Sequence, residues 1–198
     1  MPYSVADCGL PHQLDDFHEL ENFDCGRNFM TSFLQKKAKA YWKQRLCVTH
    51  VFTPLDNPSF VAGYFTLSAD SIQIDISMGK TERRVKTKRL GMPHEKRLLH
   101  TYPAVKLGML AKNTAFVEKG FGRDMIKAIK SIVLNDSGIY CCRYIIIDAI
   151  NDPGIIKFYL DNGFEFLYES EEDEKVAMND PDELTTRYML YNLGAITD

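Results

Sequence analysis

The sequence predicts an α/β (α+β) domain with one mixed, twisted sheet of six or seven strands and helices on both faces. Three observations predict this fold class. The chain has 198 residues, of which 45% are apolar and 26% are charged, so it suits one globular domain with its own core. Segments with strand and helix periodicity alternate along the chain. A turn that contains two glycines joins one of these strands to the helix that follows it.

Neither a membrane span nor a secretion signal is predicted. No stretch approaches the roughly 20 apolar residues of a transmembrane helix, and the first residues lack the basic and apolar regions of a signal peptide. The five cysteines are odd in number and form no CxxC pair, which is typical of reduced thiols rather than disulfides or zinc ligands. We therefore expect residues 1–198 to form a single cytoplasmic domain without a metal.

The first elements along the chain are a helix and a hairpin. An amphipathic helix is indicated by apolar residues at helical spacing, namely Met30, Phe33, Leu34, Ala38 and Tyr41. Residues 47–54 and 60–69 are rich in β-branched and aromatic side chains and flank an Asp-Asn-Pro turn. This pattern predicts a β-hairpin with a short loop.

The second half of the chain alternates strands with helices. A strand is expected over 104–112, a helix over 120–134 and a buried strand over 143–150. A short helix should begin near Pro153 and stop at Gly163. The last strands are expected over 164–169 and 185–193, separated by an acidic loop.

Charge is concentrated in two segments of a chain whose net charge is −3. Residues 80–97 contain eight Lys or Arg and two Glu, and they belong to a basic excursion at about 77–102 that is predicted to be irregular. Residues 165–183 contain nine Asp or Glu and one Lys, and they include an acidic loop at about 169–183. Both segments suit solvated surface, and the basic one also suits contact with phosphates.

A possible phosphate site lies at the turn before the predicted helix 120–134. Gly120 and Gly122 remove side chains where a ligand must approach backbone N–H groups. The first turn of the helix directs its free N–H groups and the positive end of its dipole toward the same place. The segment is neither a P-loop nor a complete dinucleotide fingerprint.

Residues 117–122 and 151–164 together resemble the GNAT superfamily of acetyl-CoA-dependent N-acetyltransferases. The first segment matches the family loop that holds the pyrophosphate of acetyl-CoA, with Val117 where Gln or Arg is usual. The second carries Tyr159 ahead of Gly163 and Phe164, as in the family helix beside the thioester. Asp152 stands where many members have an Asn that bonds the pantetheine arm.

Further matches over about residues 20–192 narrow the resemblance to the toxin-type branch of this superfamily. They are the Phe-Asp-Cys-Gly run at 23–26, the Thr-His-Val run at 49–51 and the segments 62–68 and 102–111. Members of this branch acetylate the α-amine of aminoacyl-tRNA and are usually paired with an antitoxin. The resemblance therefore implies acetyl-CoA as co-substrate, aminoacyl-tRNA as acceptor and an antitoxin as partner.

The resemblance also assigns candidate site residues. Tyr159 is the implied general acid that protonates the departing thiolate. Four basic side chains are candidates for contact with tRNA phosphates: Arg83, Arg84, Lys86 and Lys88. The implied cofactor-binding residues are Met109, Leu110, Ala111, Val117, Glu118, Lys119, Gly120, Phe121, Gly122, Arg123 and Asp152.

Two other functions stay open at this point. The chain is compatible with an acetyltransferase that acts on a protein, peptide or small-molecule amine, and with a catalytically weak CoA-binding module. No convincing general base is evident, which favours an aminoacyl ester over lysine because a lysine amine is almost fully protonated at neutral pH. A homodimer is a further possibility, and no membrane partner is expected.

Overall fold

The protein is described here by a computed structural model over residues 8–74, 80–91, 101–116, 120–135 and 142–196. The strands are β1 (His12–Gln13), β2 (Val48–Phe52), β3 (Gly63–Gln73), β4 (Thr101–Lys112), β5 (Tyr144–Ile150), β6 (Glu165–Phe166) and β7 (Thr186–Asn192). The helices are α1 (Asn28–Ser32), α2 (Ala38–Lys43), α3 (Lys80–Arg89), α4 (Phe121–Asn135), α5 (Pro153–Asp161) and α6 (Glu171–Met178). A π-helical segment (Phe33–Lys37) joins α1 to α2, and a 3₁₀ turn (Leu193–Ile196) follows β7.

The seven strands of the described chain form one mixed sheet in the order β1-β2-β3-β4-β5-β7-β6. This arrangement confirms the predicted fold class, whereas the splay of the central strands stays a prediction. None of the described helices is long and apolar enough to cross a membrane. By its internal contacts the chain divides into two compact units, Met1–Ala69 with Lys106–Ile132 and Asp70–Val105 with Val133–Asp198. The expectation of a single domain stays a prediction.

The first unit is built around the predicted amphipathic helix and hairpin, and both predictions are confirmed. Phe33, Leu34 and Ala38 are buried, and the Tyr64 hydroxyl donates to the Met30 carbonyl over 2.8 Å. β2 and β3 pair antiparallel from Val48↔Leu67 to Phe52↔Gly63. The helix therefore packs its apolar stripe on this part of the sheet, as its 3.6-residue period requires.

The second unit is centred on β5, whose residues Tyr144–Ile147 are all buried. It pairs antiparallel with β7 from Tyr144↔Asn192 to Ile150↔Thr186. The strand predicted over 164–169 is shorter than expected, since β6 spans Glu165–Phe166, although the Leu167 N–H also donates to the Tyr188 carbonyl over 3.0 Å. The predicted helix after Pro153 is confirmed as α5.

The prediction that the basic excursion is irregular is wrong where the structure describes it. Residues 80–89 form α3, and Leu90 and Thr87 are buried beside it. Lys, Arg and Glu are good helix formers, so a run of them needs only a few apolar anchors to form a helix. Residues 77–79 and 92–100 of the excursion lie outside the described residues.

The acidic loop is likewise interrupted by a helix, α6. Ser170 and Asp173 form a capping box at its start. Glu174 is buried and accepts hydrogen bonds from Arg187 Nε at 2.8 Å and from the backbone N–H of Tyr188 at 2.5 Å. Arg187 also bonds Glu171 over 3.1 Å, so this part of the acidic segment is held on β7.

Candidate active site

The first turn of α4 presents backbone N–H groups without an acceptor among the described residues. The helical hydrogen bonds begin at the N–H of Asp124, which donates to the Gly120 carbonyl over 3.1 Å. The N–H groups of Phe121, Gly122 and Arg123 come earlier and have no carbonyl partner within the helix. The helix dipole adds positive potential there, so this turn suits an anion.

Gly120 keeps the approach to this turn open. Its φ of +96° lies in the region that favours glycine, and a Cβ built on it meets no atom of the described residues within 4 Å. Arg123 is exposed on the same turn, and Lys127 pairs with Asp124 over 2.9 Å. The Lys127 contact offsets the negative charge of Asp124. Three further residues of the predicted loop, Val117, Glu118 and Lys119, lie outside the described residues.

The start of α4 is anchored by Phe121, which sequence reasoning placed on the cofactor. Its side chain is buried against Phe52 and Phe116, with ring centroids 5.7 and 4.5 Å away. A Cβ on Gly63 would lie 2.9 Å from this ring, so β3 needs glycine here to approach so closely. Only the backbone of Phe121 is therefore left for a ligand.

Three candidate residues lie on the second half of β4. The Met109 N–H donates to Thr66 Oγ1 on β3 over 2.9 Å. Successive amides of a strand point to opposite sides, so the Leu110 N–H points away from β3. Ala111 is buried in the core of the first unit. Ala111 therefore contributes its side chain to packing, and the contacts of Met109 and Leu110 with a ligand stay predictions.

Tyr159 lies on α5 of the second unit with its ring packed among aromatic neighbours. The ring meets Phe158 and Phe164 edge to face, with centroids 5.1 and 5.4 Å away. No group among the described residues hydrogen-bonds its hydroxyl, and burial raises the pKa of the phenol to about 12. A fixed ring with an unused, fully protonated hydroxyl suits a proton donor.

Asp152 has a structural role that sequence reasoning did not assign to it. Its Oδ1 accepts hydrogen bonds from the N–H groups of Gly154 at 2.9 Å and Ile155 at 3.1 Å. These contacts make it the N-cap of α5. A contact of Asp152 with the pantetheine arm stays a prediction.

The basic candidates on α3 are not equivalent. Arg84 and Lys88 are exposed, whereas Lys86 is half-buried with its ammonium 4.5 Å from the centroid of the Tyr168 ring. Arg83 belongs to α3, but its side chain lies outside what the structure describes. Exposure therefore favours Arg84 and Lys88 for contact with a polyanion.

A second basic surface, which sequence reasoning missed, lies on the helical stretch of the first unit. Residues 27–45 contain six Lys or Arg and no Asp or Glu, and all six side chains are exposed. Tyr41 and Trp42 are exposed on α2 at 38% and 49%. Counting charge over this window would have found the stretch, because its local charge equals that of the predicted excursion. We call it the α1–α2 basic surface, and its charged residues are Arg27, Lys36, Lys37, Lys39, Lys43 and Arg45.

An exposed carboxylate on β5 was also missed. Asp148 is exposed although Ile147 and Ala149 beside it are buried, and it lies opposite Tyr188 on β7. Burial and the charges of Asp70 and Asp148 raise the pKa of Tyr188 above its ordinary value. A lone Asp in an otherwise apolar strand was the available sequence signal, since a charge there must face solvent or a ligand.

Comparison with known proteins identifies this fold. No protein-family model matches the chain, and no curated protein matches it in sequence. Among solved structures, a tyrosine-to-phenylalanine mutant of KacT superposes with a TM-score of 0.69 at 20% identity, covering 94% of this chain and 96% of that one. AtaTR bound with AcCoA gives 0.71 at 18% identity and 97% of both chains. AtaT complexed with acetyl-methionyl-tRNAfMet gives 0.66 at 18% identity and 92% of both.

The chain therefore has the fold of a class of bacterial toxins. Within that class it is similar to KacT and AtaT over nearly its whole length. This confirms, for the fold, the resemblance drawn from residues 117–122 and 151–164.

Proposed function

We propose that the protein is an acetyl-CoA-dependent N-acetyltransferase, toxin-like, that acetylates the α-amine of aminoacyl-tRNA. The observation that carries the proposal is the open first turn of α4, whose N–H groups have no acceptor among the described residues, in a chain with the fold of AtaT. The Tyr159 hydroxyl, which bonds no other described group, supports the proposal separately. That a solved structure of this fold holds AcCoA supports the co-substrate. That another holds acetyl-methionyl-tRNAfMet supports the acceptor.

The proposed reaction assigns each group one task. The amine nitrogen attacks the thioester carbonyl and releases a proton to water, the carbon–sulfur bond breaks, and the sulfur takes a proton from the Tyr159 hydroxyl. Water passes the proton from the nitrogen to the phenolate. Backbone N–H groups at 120–123 hold the pyrophosphate, and the Leu110 N–H bonds the acyl or pantetheine portion.

Asp148 supplies negative charge for the acceptor. The exposed carboxylate of Asp148 is the proposed base that accepts the extra proton of an arriving ammonium before attack. Asp148→Asn removes that charge at constant size, and we expect turnover to fall about 10²-fold, the lower end for a general base. Its pH profile should shift upward, because the reaction then needs amine that is already neutral. Equal pH profiles for the variant and the parent would contradict this role.

The test of function is transfer of label from radioactive acetyl-CoA to total charged tRNA. We expect label on aminoacyl-tRNA, none on deacylated tRNA and none on tRNA that carries formyl-methionine, whose amine is blocked. A lysine-containing peptide and a small amine are tested alongside. Label on those acceptors alone would replace the proposal by the protein, peptide or small-molecule alternative, and no transfer at all would favour the CoA-binding module.

Both basic surfaces are proposed to contact tRNA phosphates without reading sequence. Arg84→Gln with Lys88→Gln removes two charges from α3, and Lys36→Gln with Lys43→Gln removes two from the α1–α2 basic surface. Each pair should flatten the salt dependence of tRNA binding by about 1.4 to 1.8 in log–log slope. Acetylation of a small amine should persist in both variants. If neither slope changes, or the parent binds no tRNA at low salt, the aminoacyl-tRNA proposal fails.

The proposal also includes two protein partners, an antitoxin and a second copy of the chain. The exposed Glu172 and Asp173 of α6 suit a basic partner segment, and a solved structure of AtaT with the C-terminus of its antitoxin AtaR supports an antitoxin here. A homodimer is also proposed. An enzyme that consumes aminoacyl-tRNA would act in the cytoplasm.

A further inference from the structure

Two histidine rings of the first unit face each other through their Nε2 atoms. His12 lies on β1, and His18 follows the turn that begins at Asp15. The Nε2 atoms are 3.1 Å apart, and the ring planes are tilted by 34°. Neither residue belongs to the candidate active site. We infer that the pair forms a binding site for a divalent metal ion of the Zn²⁺ class.

The other nitrogen of each ring fixes where its hydrogen lies. His18 Nδ1 is 2.7 Å from Asp15 Oδ1 and 3.3 Å from the Asp15 backbone N. The shorter, charge-assisted contact dominates, so this Nδ1 carries the hydrogen. His12 Nδ1 is 3.3 Å from the Leu10 carbonyl, which can only accept. With these hydrogens on the two Nδ1 atoms, each Nε2 presents a lone pair, and a cation bound to both would stabilise their 3.1 Å contact.

The gap between the Nε2 atoms fits a metal ion. If an ion lies at the usual Zn–N distance of about 2.0–2.1 Å from both atoms, the 3.1 Å gap gives an N–Zn–N angle of about 100°. This angle is close to tetrahedral. Histidines that bind metal donate their other N–H to a carboxylate or a backbone carbonyl, and Asp15 and Leu10 supply one of each. Imidazole nitrogens suit Zn²⁺, Cu²⁺ and Ni²⁺.

The scaffold holds both rings in place and leaves one side open. His12 pairs with Val51 of β2, and the N–H of Glu19 next to His18 donates to the Ser59 carbonyl over 2.9 Å. The His18 side chain is only 1% exposed, whereas His12 is exposed, so an ion reaches the pair from the His12 side. The described chain has no group of three or more His, Cys, Asp or Glu that could hold a metal. Water therefore completes the coordination, and the ion ties β1 to the turn at 15–18.

The experiment titrates Zn²⁺ into the chelator-treated full-length protein. Calorimetry measures the binding, and ¹⁵N NMR monitors the histidine rings. We expect one ion per chain at this site and a shift of the Nε2 resonances of both rings. His12→Gln removes one of the two proposed ligands. Asp15→Asn removes the partner that orients His18, and such a loss typically costs about 10–100-fold in metal affinity. We expect each change to weaken Zn²⁺ binding at least about tenfold. Gln13→Ala, the neighbouring change on the same strand, should leave the affinity unchanged.

Two results would overturn the inference. One is equal Zn²⁺ affinity for His12→Gln and Gln13→Ala, which would place any bound zinc on other groups such as the cysteine thiols. The other is Nε2 resonances that report one proton shared between the rings and do not move with Zn²⁺. In that case the cation between the rings is a proton. Because His12 is exposed, its replacement should leave the fold intact, which circular dichroism checks.

Discussion

Replacing Tyr159 with Phe tests whether the hydroxyl acts in catalysis or whether the residue contributes only its packed ring. The ring contacts with Phe158 and Phe164, at centroid distances of 5.1 and 5.4 Å, survive the change. The hydroxyl has no hydrogen-bond partner among the described residues, so its removal orphans no group within that part of the chain. We therefore expect the free energy of unfolding to change by less than about 0.5 kcal/mol, as for a substitution that disturbs no buried contact.

The size of the effect on turnover follows from the raised pKa of the phenol. A general acid typically contributes about 10²–10⁴-fold. Burial raises the pKa of Tyr159 to about 12, whereas an ordinary thiol has a pKa near about 8.5. Transfer to a free thiolate is uphill by about 3.5 pKa units, or about 5 kcal/mol, so it must accompany cleavage of the carbon–sulfur bond. We expect a loss in the lower part of the range, about 10²–10³-fold, which is about 2.7–4 kcal/mol of activation free energy.

The assay is steady-state transfer from acetyl-CoA, with acetyl-CoA affinity measured separately by calorimetry. Tyr191→Phe is the matched control, because Tyr191 packs on Phe164 with centroids 5.6 Å apart and also carries a hydroxyl. Its turnover should stay within about threefold, well below the worth of a general acid. With a pKa of about 12, Tyr159 stays protonated through neutral and mildly alkaline conditions. The pH profile of the parent should therefore show no phenol limb below about pH 11.

A fall in turnover of less than about threefold for Tyr159→Phe would refute the reasoning, given the contribution expected of a general acid. Tyr159 would then be a core aromatic residue, and water would protonate the thiolate. An equal loss in the Tyr191→Phe control would also refute it, because a general disturbance of the aromatic cluster would explain both.

Two other substitutions test the cofactor turn and the fold. Gly120→Ala should weaken acetyl-CoA binding by calorimetry and cost about 1 kcal/mol of stability, because φ of +96° strains an L-residue and the methyl group enters the open approach. Gly26→Ala, at φ of +75°, carries similar strain in another loop and should leave the affinity unchanged, so equal losses would contradict the placement of the pyrophosphate. Glu174→Gln should destabilise the protein by about 3 kcal/mol in chemical denaturation, since it leaves the buried Arg187 without its nearest carboxylate. Glu171→Gln, at the more exposed end of the same network, should cost less than about 1 kcal/mol, and similar losses for both would contradict the role of burial.

Sequence reasoning succeeded where apolar residues recur with the period of a helix or strand and a turn residue marks the end of the element. The β2–β3 hairpin, α4, β5 and α5 were all predicted, each within a few residues of its observed bounds. In α5 the start and stop signals, Pro153 and Gly163, are visible in the sequence. Such elements need little information from the rest of the chain.

Sequence reasoning failed in the two highly charged segments. The runs that became α3 and α6 were interpreted as loops because they are highly charged. Their helices depend on a few buried residues, Leu90 beside α3 and Glu174 within α6, and the latter is buried only because Arg187 lies on β7. A contact between residues 13 positions apart has no local signature. The Ser170 capping box, by contrast, was a local signal that the charge obscured.

The start of α4 differs from the starts of α5 and α6. α5 and α6 each start with a side chain that accepts from their own free N–H groups, Asp152 and Ser170. α4 starts after Gly120, which has no side chain that could accept from these N–H groups, and its φ of +96° favours glycine. A helix that caps itself has fewer donors left for a ligand. α4 instead buries Phe121 of its first turn against Phe52 and Phe116. The N–H groups of this turn find no acceptor among the described residues, so they can bind an anion. The absence of a capping side chain at Gly120, among the residues that the structure describes, is therefore the local feature that most directly favours a phosphate-bearing co-substrate at this turn, and it follows from one residue that the sequence already displays.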